Sequence, residues 1–222
     1  RATAALYRKL QQPDDLVDTL HRLIEAGLLQ NMSVDEIREA YAELGKLYAE
    51  QLMRPNDAID SWRKVFEYNK KDFRALAALE KLFGEEARWE DAVDVIEKRI
   101  KLLESPADKI SELIKAAKIW EDNVSDAAAA ADAYERVLQI DKHNLTASQA
   151  LENIYRARAS WSQLSELLLA RVEFPNFTPH QRIEAYQAIA RIYEDNMSDR
   201  ESAFVVLQAA FREDYSVDST AR

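Results

Sequence analysis

The chain has 222 residues, 47% of them hydrophobic, and a formal net charge of -10. That is enough apolar mass for a core, and the negative balance argues against a nucleic-acid backbone as partner. Cysteine is absent, which excludes disulfides and thiolate zinc sites; three glycines and five prolines leave little for tight sheet turns, and no apolar run reaches the roughly 20 residues of a membrane helix.

Apolar residues recur at gaps of three and four along the whole chain, the period of amphipathic helices. Residues 3–27 carry Tyr7, Pro13, Leu16, Leu20 and Leu23. Residues 37–71 carry Tyr41, Leu44 and Tyr48, then Ala58, Trp62 and Phe66. In 72–103 the pattern is Leu76, Leu79 and Phe83, then Ala92 and Ile96. Residues 109–143 hold two stripes, Ile110, Leu113, Ala116, Ala117 and Trp120, then Ala127, Ala130, Ala131, Tyr134, Val137 and Leu138. Ser125 is expected to cap the second of these helices, and Trp120 to be buried between hairpins. Residues 144–174 bring Leu151, Tyr155, Trp161 and Leu168. The last pair reads Tyr186, Ile189, Ala190 and Tyr193, then Ala203, Leu207 and Ala210, with Ser198 and Glu201 as a capping box.

These segments are copies of one another. At an offset of 72 residues Tyr48 falls on Trp120, Ala58 on Ala130, Trp62 on Tyr134 and Phe66 on Leu138. A further 73 residues on, Tyr193, Ala203, Leu207 and Phe211 take those places. Between them lies a second kind of hairpin, in which Leu79 aligns with Leu151, Phe83 with Tyr155, Trp89 with Trp161 and Arg99 with Arg171. The result is an alternating array of six hairpins, about 1–30, 34–70, 72–104, 108–141, 144–174 and 179–213, without linkers. Such an array is expected to be one domain, 1–222, and a segment of a longer protein, because neither end carries a polar capping helix.

The repeat resembles the tetratricopeptide family. Tyr41, Leu44, Gly45 and Tyr48 match its first-helix motif, and Ala58, Trp62 and Val65 supply the second-helix motif one residue late. Leu76, Leu79 and Phe83 with Ala92 and Ile96 match in part. Glu80, Glu152, Arg99 and Arg171 depart from it, standing where the motif has small residues. The repeat texture is similar to that of long bacterial arrays. The resemblance implies an all-α, right-handed α-solenoid, in which hairpins that cannot bury their own stripes stack on their neighbours. It also implies that first helices line a concave face, with the residue two before the helix-end aromatic pointing into the groove. Those residues are Lys46, Lys81, Lys118, Asn153 and Arg191, with Arg74, Lys115 and Arg156 beside them. A basic row in an acidic protein marks a binding surface for an acidic partner, or else pairs internally with acids such as Glu50 and Glu121 at helical spacing.

No enzyme chemistry stands beside this row. His21, His143 and His180 lie in different hairpins, and neither a nucleophile elbow nor a phosphate loop is present. No catalytic, metal or cofactor site is therefore expected. Trp89 and Trp161 are expected to plug the hairpin turns; exposed, they would serve as binding anchors. The expected function is a non-enzymatic scaffold holding a partner protein or peptide, in the cytoplasm, with no nucleic acid and no membrane insertion. A spacer or assembly module, or a regulatory array attached to an enzyme, are the alternatives, and the oligomeric state is open.

Overall fold

A computed structural model describes residues 12–29, 32–175 and 177–220, without the side chains of Leu29 and of residues 214–220. Eleven α-helices account for nearly all of these: α1 Pro13–Leu29, α2 Val34–Glu50, α3 Pro55–Tyr68, α4 Phe73–Glu85, α5 Trp89–Leu102, α6 Pro106–Ile119, α7 Ala127–Ile140, α8 Leu145–Ala157, α9 Trp161–Val172, α10 Pro179–Arg191 and α11 Arg200–Thr220. No strand occurs among the described residues. Residues 3–11 of the first hairpin, with Tyr7, lie outside the described residues. No helix among those described is long and apolar enough to cross a membrane.

The chain divides into two compact units, residues 1–112 and 113–222. In the first, α1 to α5 each pack on the next in sequence; in the second, α7 to α11 do the same. This nearest-neighbour stacking is what the tetratricopeptide resemblance implies, since a helix inside such a stack meets the helix before it and the helix after it. Leu20, Leu44, Ile59, Leu76 and Ile96 are fully buried in the first unit, and Leu113, Val137, Leu151, Leu164 and Ile189 in the second. Gly45 lets α2 and α3 close on each other: a Cβ there would stand 2.6 Å from Nε1 of Trp62.

Helix starts follow local chemistry. Proline opens α1, α3, α6 and α10, where its missing N–H costs nothing. Asp72 accepts from the amides of Arg74 and Ala75, Asn144 from that of Ala147, and Thr178 forms a reciprocal box with Gln181. Two expected caps are displaced by one residue. Asp126, not Ser125, accepts from the amides of Ala128 and Ala129, and Asp199, not Ser198 with Glu201, accepts from Ser202.

The cause is the turn inside each hairpin. Met53, Ala87, Ser125, Ala159 and Ser198 all have left-handed backbone, with φ from 52 to 62°. Ser125 and Ser198 reverse the chain, which leaves the next residue to cap. In the hairpins of the second kind Arg88 N–H donates to the Phe83 carbonyl and Ser160 N–H to that of Tyr155, five residues back. In the first kind Arg54 reaches Tyr48, Asp126 reaches Trp120 and Asp199 reaches Tyr193, six residues back. The extra residue is absorbed as a π-helical turn, Trp120–Val124 and Ile192–Asn196, in the last two of these. It explains why Ala58, Trp62 and Val65 come one residue late against the motif. Placement at the start of that turn also leaves Trp120 only partly buried, contrary to expectation. Glu121, in the turn, accepts from the Tyr134 hydroxyl at 2.7 Å, and burial together with this carboxylate raises the hydroxyl's pKa. Trp89 is partly buried over Gly84, with 3.7 Å between its ring and a Cβ built there, so it covers the hairpin turn.

Candidate functional site

The first helices α2 and α4 lie side by side in repeat register, 35 residues apart. Glu39 therefore meets Arg74, Lys46 stands at the level of Lys81, and Glu50 at the level of Glu85. Their facing sides line a groove of about 900 Å³. Lys46, Ala49 and Glu50 of α2 form one wall, and Arg74, Ala78, Lys81 and Glu85 of α4 the other, at the three-and-four spacing that puts residues on one helix face. Trp62 of α3 and Leu82 form the apolar floor. Met53, in the turn, is 78% exposed at the rim.

The charges fall into layers. At one end Arg74 binds Glu39 at 2.7 Å and Asp72 at 3.0 Å. Its hydrogen bond holds the Glu39 carboxyl below the ordinary carboxylate value. For Asp72 burial pushes upward, but the bonds from Arg74 and from the Ala75 amide outweigh it, and its pKa too is lowered. Arg74 is thus a fixed wall element whose charge is already neutralised. In the middle layer Lys46 has no ion-pair partner among the described residues, and Lys81 reaches Glu85 only at 3.7 Å, with the side chains of that pair more than half exposed. Exposed pairs of this kind contribute little, so both ammonium groups are available to a ligand. Glu50, Glu85 and Glu86 form the far layer.

Trp62 adds a second feature. The residue is 5% exposed, yet its indole N–H is not among the fully buried polar atoms and has no acceptor among the described residues. In the sequence Trp62 is a position of the second-helix motif, with no sign of a binding role. Its placement opposite Gly45, where only an unsubstituted Cα leaves room for the indole, was the signal for more.

Of the eight residues singled out from sequence, the structure brings Lys46, Arg74 and Lys81 to this groove. Lys115, Lys118, Asn153, Arg156 and Arg191 belong to the second unit, and all five are exposed. Arg156 is held by Glu152 at 3.0 Å. Lys118 and Arg191 stand in the last turns of α6 and α10, just before the π-helical turns, with no ion-pair partner among the described residues. The internal pairing at helical spacing is therefore realised for Lys81 and Arg156 and not for Lys46, Lys118 or Arg191. Among the described residues no three His, Asp or Glu side chains are grouped to hold a metal ion.

No family model matches the sequence, and no curated relative does. Solved structures are similar in architecture at low identity. MamA is 17% identical over 97% of this chain and 96% of its own, with a TM-score of 0.42. YrrB, described as a TPR protein with an unusual peptide-binding site, is 14% identical over 89% of this chain and 93% of its own, with a TM-score of 0.41. A tetratricopeptide repeat protein from Parabacteroides merdae is 14% identical over 95% of this chain and 77% of its own, with a TM-score of 0.43.

Proposed function

We propose that the chain is a non-enzymatic scaffold whose α2–α4 groove binds an extended segment of a partner protein. The observation that carries this reading is the coincidence of two under-used cations, Lys46 and Lys81, above an apolar floor that includes an unpartnered Trp62 indole N–H. A peptide carboxylate would lie between the two ammonium groups, and the indole would donate to a peptide carbonyl. Rigid flanking helices present these groups without an ordering cost on the scaffold's side. The acidic layer of Glu50, Glu85 and Glu86 one turn further on favours a segment with a basic residue beyond its acidic one, rather than a uniformly acidic tail. The reading places the protein in the cytoplasm, with protein partners and no nucleic acid.

The test is a display selection of peptides against the purified chain, followed by titration of the enriched sequences. Replacing Lys46 and Lys81 together by Glu should leave the helical spectrum unchanged and weaken binding at least about tenfold, and wild-type affinity should fall with added salt. Enriched peptides that bind the double variant equally well would refute the groove assignment.

A further inference from the structure

Position 49 sets the α2–α4 groove apart from its copies. Glu121 and Glu194 stand there in the other two hairpins of the first kind, and alanine stands there in this one. In the second unit the glutamate has a visible effect: Tyr134, at the position of Trp62, donates its hydroxyl proton to Glu121 across 2.7 Å. A helical side chain leans back over the turn before its own Cα. From position 49 that lean leads over Gly45, and Nε1 of Trp62 lies 2.6 Å from a Cβ built at Gly45. Ala49 stops at its Cβ. The floor donor is left without an acceptor among the described residues, and the place of a glutamate side chain belongs to the groove instead.

The charges around the position have changed with it. Lys46, Glu50, Lys81, Glu85 and Glu86 put two ammonium groups against three carboxylates, a balance of -1. Their counterparts in the second unit are Lys118, Asp122, Asn153, Ala157 and Arg158, two cations against one carboxylate, a balance of +1. A carboxylate held against the floor is therefore favoured in the copy and disfavoured here, the more so once a ligand acid lies on the two lysines. A primary amide has no such conflict. Its carbonyl accepts from the indole while its NH2 group donates to a carboxylate, and glutamine is the amide side chain with the length of the missing glutamate.

We infer that the partner segment delivers a glutamine to this floor, its side-chain carbonyl on the Trp62 indole and its NH2 group toward the Glu50 and Glu85 carboxylates, and that Ala49 keeps the place open for it. The inference rests on the α2–α4 groove being the binding site, as proposed above, and specifies the carbonyl that the indole receives. A second copy of the chain is not the source. Its described glutamines lie in helices or directly at helix ends, and none stands on an extended segment.

The probe is an immobilised peptide library with a fixed aspartate, three randomised positions and a fixed lysine, screened against the whole chain. Wild type should enrich glutamine at one randomised position. A49Q, whose own amide fills the place, should bind those glutamine peptides at least about tenfold more weakly. With no peptide present, the Trp62 indole N–H resonance, assigned by its loss in W62F, should move downfield in A49Q. It should not do so in A49L, which adds bulk without an acceptor. K46E/K81E separates the two claims: peptides that need both lysines but show no preference for glutamine would overturn this inference and leave the groove assignment standing. A library that binds nothing on wild type, or binds K46E/K81E equally well, would overturn both. Glutamate enriched in place of glutamine, or an indole resonance that A49Q leaves unmoved, would overturn the inference alone. So would a resonance that shifts with wild-type concentration, since a second copy would then be the occupant.

Discussion

Arg171 donates to Glu152 across 2.6 Å and ties α9 to α8, and two hairpins earlier Arg99 makes the same bond to Glu80 between α5 and α4. Arg99 adds a second carboxylate, Glu112, at 2.8 Å. Glu80, Arg99, Glu152 and Arg171 each stand where the tetratricopeptide motif has a small side chain, and each is at most 20% exposed. The four departures are thus two exchanges of small–small packing for an ion pair at the same position in successive hairpins of one kind. Burial works against the charge on Arg99, and the bonds to Glu80 and Glu112 outweigh it, so its pKa is raised.

Such a pair is costly to break and cheap to replace. Glu152→Leu strands Arg171 and should destabilise by about 2–4 kcal/mol, whereas Arg171→Leu should cost only about 1–2, since Arg156 remains on Glu152. The double substitution should be no worse than Glu152→Leu alone. Urea unfolding of the four proteins measures the cycle, and strict additivity would refute the coupling.

The five left-handed turn residues are all non-glycine, and each carries the steric cost of Cβ against its own carbonyl. Ala87→Gly and Ala159→Gly, both at exposed positions, should each stabilise by about 0.5–1 kcal/mol, net of the extra unfolded-state freedom of glycine. Thermal unfolding of the single and double variants checks this; a lower midpoint would mean that the turn is held by something other than backbone geometry.

At Gly45 the opposite substitution should be harmful. A Cβ would fall within 3 Å of three Trp62 ring atoms, which cannot move without disturbing the groove floor. Gly45→Ala should destabilise by about 1–3 kcal/mol in spite of alanine's helix preference of about 1 kcal/mol. Trp62→Phe, with a smaller ring, should recover part of this in the double variant. Chemical denaturation supplies the numbers, and indole fluorescence of the single variant should report the displaced ring.

The acid limb of stability should depend on Arg74. It holds Glu39 and Asp72 below their ordinary values, so their folded pKa values are lower than the unfolded ones. Stability from these groups is complete above the ordinary carboxylate range of about 4 and is lost as pH falls through the folded values. Arg74→Gln should lower stability at neutral pH and flatten its decline below about pH 4. Unfolding free energies measured between acid and neutral pH would show this as converging curves; parallel curves would contradict it.

Helix positions, hairpin pairing and the alternation of two repeat kinds were legible in the chain because they follow from local periods. A stripe at three-and-four spacing can face only one neighbour, and a copied stripe implies a copied neighbour. What depended on closing the chain was anything shared between helices. Serine and aspartate stand adjacent at Ser125–Asp126 and Ser198–Asp199, and either can cap; only the turn of the folded hairpin, which holds the serine at positive φ, decides for the aspartate. Arg99 and Glu80 read as two unrelated departures until α4 and α5 lie side by side. Lys46 and Lys81 were visible as a row, but their floor of Trp62 and the neutralisation of Arg74 by Glu39 require three helices at once. Phe204, Leu207 and Phe211 match positions that are buried or half-buried in α3 and α7, yet they are 62, 45 and 70% exposed, because amphipathic periodicity records which face is apolar and not whether a neighbour covers it.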